Sequence, residues 1–89
     1  MKCARFRVTG QVQGVGFRYY ARRLARDCGV VGWVRNEPDG AVLAEASGSP
    51  EALAAFSAGL RMGPPAARVE RVDEIPLPEA TPRERFEII

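Results

Sequence analysis

Histidine is missing from these 89 residues, lysine occurs once (Lys2), and asparagine occurs once (Asn36). Without imidazole the chain can build neither a Cys–His nucleophile pair nor a histidine general base. Its two cysteines, Cys3 and Cys28, fall short of an ordinary four-ligand zinc site. In a reducing compartment two buried or half-buried thiols are expected, with a disulfide as the minor alternative. No apolar run approaches the ~20 residues of a membrane span, and the opening MKCARFRV lacks the apolar stretch of a signal peptide. These gaps predict a cytoplasmic protein with no metal, no cofactor and no membrane partner.

What is present fits one small domain spanning residues 1–89. The chain is 46% hydrophobic and 27% charged, the balance of an ordinary globular protein rather than a disordered one. The net charge is only +2. Through Arg35, however, there are eight basic residues and one acid, and from Asn36 onward five basic residues and ten acids. A basic first part and an acidic remainder suggest an anionic ligand, or neutralisation of one part by the other in the fold. Nearly all the positive charge is guanidinium, which suits paired contacts to oxyanions.

The hydrophobic period orders the chain. CARFRVTG (Cys3–Gly10) alternates, with Ala4, Phe6 and Val8 on one face, as a half-buried strand does. From Phe17 the period lengthens: Phe17, Tyr20, Ala21, Leu24, Ala25 and Cys28 form one helical stripe, and Gly29 supplies a stop. VVGWVRN reads as a strand, EPDG as a turn and AVLAEAS as the returning strand. Ser49–Pro50 has the chemistry of a helix start; Leu53, Phe56 and Leu60 mark the buried side, and Gly63-Pro64-Pro65 the end. RVERVDEI (Arg68–Ile75) predicts a strand, PLPEATPR a loop, and RFEII a short last strand. The order βαββαβ predicts an α+β sandwich of the split β-α-β kind, with two helices on one face of an antiparallel sheet.

Within this order, GQVQGVGFR lies between the first strand and the first helix. Gly10, Gly14 and Gly16 crowd the turn before Phe17 and Arg18. Glycines there let consecutive backbone N–H groups converge, and the free N–H groups and dipole of the helix start add to them. That is an anion cradle, with Arg18 at its lip to grip phosphoryl oxygens. The spacing matches neither a Walker A loop nor a dinucleotide fingerprint. A tight turn with a surface arginine is the alternative. Asn36 ends the second strand, which in a split β-α-β fold runs parallel to the first. The glycine loop and Asn36 are therefore expected to be neighbours at one sheet edge.

The two blocks GQVQGVGFR and GWVRNEPDG, at this separation, resemble the acylphosphatase family; GPPAARVERV and RFEII resemble its closing segments. The likeness spans nearly the whole chain. It implies a ferredoxin-like fold and hydrolysis of carboxyl-phosphate anhydrides. It implies that the loop Gln13, Gly14, Val15, Gly16 and Phe17 cradles phosphate, that Arg18 binds it, and that Asn36 positions the attacking water. Inorganic phosphate or sulfate would then be able to occupy the site. Many relatives carry Thr where this chain has Glu37, and the Glu37 carboxylate is expected to point away from the site. Arg22, Arg23 and Arg26 are read as a solvated helix face. Arg35 is expected on the face opposite Asn36, and Trp33, Tyr19 and Tyr20 as packing residues.

Other readings are a ferredoxin-like module that binds phosphate or RNA without turnover. GVGFRYY has the glycine-aromatic flavour of RNA-recognition domains, but that motif needs aromatics on a sheet face. Here they follow a loop and take a helical period, so no nucleic-acid partner is expected. Similar domains also begin hydrogenase-maturation carbamoyltransferases; an end at Ile89 favours a free-standing enzyme. No apolar stripe is left over, so a monomer is expected.

Overall fold

The computed structural model describes residues 1–89. Strand β1 (Lys2–Gln11) buries Ala4, Phe6 and Val8, as its alternation requires. Helix α1 (Phe17–Cys28) buries Phe17, Ala21 and Ala25, with Tyr20, Leu24 and Cys28 half-buried beside them. It stops at Gly29, whose left-handed backbone (φ 82°) lets its N–H donate to the Ala25 carbonyl at 2.9 Å. Strands β2 (Val31–Asn36) and β3 (Val42–Gly48) form the hairpin across the EPDG turn. Helix α2 (Pro50–Met62) starts on Ser49, whose hydroxyl accepts from the Ala52 N–H at 3.1 Å, and Pro50 takes the first helical position. Strands β4 (Arg68–Leu77) and β5 (Phe86–Ile88) complete the chain.

The five strands lie in the order β4-β1-β3-β2-β5. β1 pairs antiparallel with β3 on one side and β4 on the other, and β2 pairs antiparallel with β3. β1 and β2 therefore run parallel with β3 between them. β5 pairs parallel with β2, so the otherwise antiparallel sheet is mixed at that edge. Both helices cover one face, giving the ferredoxin-like α+β sandwich. Between the layers Phe6 meets Phe56 edge-on (5.4 Å, 75°), and Phe56 meets Phe86 at 5.5 Å. Each such ring contributes about 1.5–3 kcal/mol by leaving water. β4 runs two residues beyond the sequence-based end, through Pro76 and Leu77. The edge position of β4 explains this, because an edge strand can lack a ladder N–H at Pro76.

The helices touch where Gly59 of α2 faces Leu24 of α1, and the Tyr20 hydroxyl donates to the Gly59 carbonyl at 2.7 Å. Tyr19 departs from its expected packing role. It is exposed on α1, with the Arg22 guanidinium over its ring at 5.3 Å. On the open sheet face Arg5 pairs with Glu45 (3.0 Å), and Arg35 lies over Trp33 at 4.9 Å. Cys3 and Cys28 are free thiols. No helix is long and apolar enough to cross a membrane.

Candidate active site

Val8 of β1 and Asn36 of β2 both pair with Val42 of β3, so the two parallel strands end at one edge. Past that row, β1 continues to Gln11 and turns into the glycine loop. Two apolar anchors hold the loop's ends: Val12 is 1% exposed and Phe17 is 2% exposed. Between them Gly14 (φ 74°) and Gly16 (φ 78°) are left-handed, a conformation that a side chain there would strain. Val15, between the two, packs part-buried against the core.

Gly16 caps α1 without any side-chain hydrogen bond, and no acidic residue occupies the first turn. The backbone N–H groups from Gly14 to Tyr19 donate to no acceptor within the chain; the first to do so is that of Tyr20, to the Gly16 carbonyl at 3.0 Å. The result is an open cup of donors at the positive end of a helix. Phe17 contributes only its backbone, because its ring lies in the core.

Arg18 stands half-buried in the first turn of α1 and makes no ion pair. Arg5, Arg7, Arg35, Arg61, Arg71 and Arg83 are each paired with a carboxylate. A guanidinium free of ion pairs, borne by the same helix turn as unused N–H groups, is chemically suited to a tetrahedral oxyanion.

Asn36 carries a second signal: its Oδ1 is buried with no hydrogen-bond partner. A buried polar atom of that kind is rare enough to need an explanation, and a water or small-molecule partner for its acceptor is one. The cup and Asn36 are tied together by Gln13. Its Nε2 donates to the Glu37 carbonyl at 2.7 Å and the Ala41 carbonyl at 2.9 Å. The resemblance places Gln13 in the phosphate cradle; its side-chain amide group is engaged by the β2–β3 turn, which leaves its backbone to the loop.

The two carboxylates of that turn are both taken up. Glu37 accepts from Arg35 Nε at 3.2 Å, on the sheet side that alternation sets opposite Asn36. Asp39 accepts from the Ala41 N–H at 3.1 Å and is paired with Arg7. The Ala41 N–H, followed by the Arg7 guanidinium, holds the Asp39 carboxyl below its ordinary value. Sequence reasoning missed Arg7 and the Gln13 amide. Asp39 left a signal, since Asp in a PDG turn commonly bonds the backbone two residues on. The aromatics of GVGFRYY do not stand on the sheet: Phe17 and Tyr20 belong to the helix layer, unlike the sheet-face aromatics of an RNA-recognition motif.

A comparison with protein families matches the Acylphosphatase model to residues 4–88. An acylphosphatase of Nocardioides sp. is 61% identical over 66 residues, covering 74% of this chain and 67% of its own. One of Thiobacillus denitrificans is 55% identical over 73 residues, covering 82% of each. Among solved structures, that of acylphosphatase from Bacillus subtilis superposes with a TM-score of 0.96 at 35% identity, over 100% of this chain and 99% of that one.

Proposed function

The chain belongs to the acylphosphatase family, and from that premise we propose that the Gly14–Arg18 cup holds the phosphoryl group while Asn36 positions the water that attacks it. The enzyme is a hydrolase acting on acyl phosphates. The water oxygen attacks phosphorus, the bond to the acyl oxygen breaks, and the electron pair leaves with the carboxylate. Water and acyl phosphate become carboxylate and inorganic phosphate, with the water's proton taken up by a phosphate oxygen. A carboxylate leaves readily, so no general acid is needed.

Phosphoryl transfer spreads charge over the equatorial oxygens, so catalysis rests on positioning and fixed donors. Arg18 and the N–H groups of the cup supply those donors. The amide of Asn36 orients the water in line with the leaving carboxylate. The observation that best supports this reading is the unpartnered Asn36 Oδ1, one residue before the carbonyl that Gln13 ties to the loop. The cup reads phosphate through its backbone, and inorganic phosphate or sulfate is its expected non-substrate occupant. The 89 residues act as one domain, monomeric and cytoplasmic. The free thiols support the location, and a single core supports the domain count.

Hydrolysis of benzoyl phosphate in the presence of a chelator tests the assignment. Arg18→Ala should lower the rate by on the order of 10³–10⁵, as loss of an arginine finger does. Asn36→Ala should cost about 10²–10³, as for a lost oxyanion donor. Arg18→Ala should also weaken inhibition by inorganic phosphate, and Asn36→Ala should not. Near-normal turnover in either variant would overturn the site.

A further inference from the structure

The site is carried by two strand ends that share no hydrogen bond with each other. The cup hangs from β1, Asn36 ends β2, and β3 separates them by two strand spacings, about 9–10 Å. The sheet couples them only as far as the Val8–Val42–Asn36 row. Beyond it, Thr9, Gly10 and Gln11 pair with β4 alone, and the β2–β3 turn has left the ladder.

We propose that Gln13 is a positioning residue for hydrolysis: its side-chain amide holds Asn36 in register with the phosphate cup. This rests on the site reading above. The two Nε2 bonds run to the Glu37 and Ala41 carbonyls, at the neck of the turn that begins just after Asn36. The Ala41 carbonyl also accepts the Glu37 N–H at 2.8 Å, so the amide closes a neck that the backbone has already drawn together. The strand end that carries Asn36 is thereby fastened to the residue that precedes Gly14. The cup does not need this bond for its own shape. Buried Val12 and Phe17 pin its ends, and Gly14 and Gly16 set its curvature. Losing the amide should therefore leave phosphate binding in place and loosen the water holder. In-line attack tolerates little displacement; a misplacement of about 1 Å can cost 10²-fold in rate.

The test uses Gln13→Met, which keeps length without donors, and Gln13→Ala, each checked for folding by circular dichroism and thermal melting. With benzoyl phosphate, kcat should fall about 10- to 100-fold. The inhibition constant for inorganic phosphate should stay within about threefold, since the donors of the cup are untouched. Placed on Asn36→Ala, either substitution should cause no further loss, because the residue it positions is gone. An unchanged kcat in a folded Gln13 variant would overturn the proposal. So would a parallel loss of phosphate affinity, or a full additional loss on the Asn36→Ala background. If Asn36→Ala alone proves as fast as wild type, the water-holding role fails first, and that result is distinct from an inert Gln13 substitution beside an impaired Asn36→Ala.

Discussion

Two carboxylates stand in the turn after Asn36, and each is taken up by an arginine from the open sheet face. Glu37 differs from the Thr of many relatives, yet Arg35 draws its charge to the side away from Asn36. Asp39 has a lowered pKa, caused first by the Ala41 N–H and then by Arg7. Its ionised form thus supports the turn. That support is complete above the ordinary Asp value of about 3.9 and is lost as pH falls through the lowered folded value. Asp39→Asn should therefore melt below wild type at neutral pH, with the gap closing as pH is taken below about 4. The effect should be small, because the group is solvent-exposed and screened. A gap that persists unchanged at acid pH would refute the assignment. At this scale the candidate site is legible in the sequence only in part. Arg18 and Asn36 stood out by residue type, motif and the parallel strand ends. The Gln13 amide did not, because its partners lie 24 and 28 residues away and depend on where β2 turns.

At the scale of elements, local chemistry was readable and long-range pairing was not. Gly29, Ser49, Pro50 and Gly63 mark helix ends by their own backbone preferences, and each does so in the structure. The parallel pairing of β5 with β2 leaves no such local trace, nor does the extension of β4 through Pro76. The contact of α1 with α2 was likewise hidden in a glycine. A Cβ on Gly59 would crowd Leu24 Cδ2 at 2.5 Å, so the helices approach closely there. The Tyr20 hydroxyl seals the crossing through the Gly59 carbonyl. Tyr20→Phe should lower stability by about 1 kcal/mol, the usual net worth of such a bond. Chemical denaturation would measure the loss, and kcat should be unchanged because Tyr20 lies outside the cup. A matching fall in kcat would mean that the crossing also shapes the helix start.

Over the whole molecule, the two charge blocks of the sequence cancel on the sheet and not on α1. Acids of the later half pair with Arg5, Arg7 and Arg35, whereas Arg18, Arg22, Arg23 and Arg26 form no ion pair. Arg22 and Arg26 follow Arg18 at four-residue spacing, so positive charge continues along the helix from the cup. Such a field concentrates anions near a site and is suppressed by salt. Arg22→Gln with Arg26→Gln should lower kcat/KM for acyl phosphate severalfold at low ionic strength, with kcat unchanged and the difference gone near 1 M salt. A salt-independent difference would point to direct contact instead. The place of β1 between β3 and the edge strand β4 has a consequence for how the enzyme comes into being. During synthesis β1 emerges before the other strands, yet Cys3 must wait for Leu77 to complete its ladder. Closing that long loop, rather than forming either helix, should limit the folding rate. The cup hangs from the end of β1, so the proposed grip on phosphate is gained only after β4 has cleared the ribosome and paired with β1.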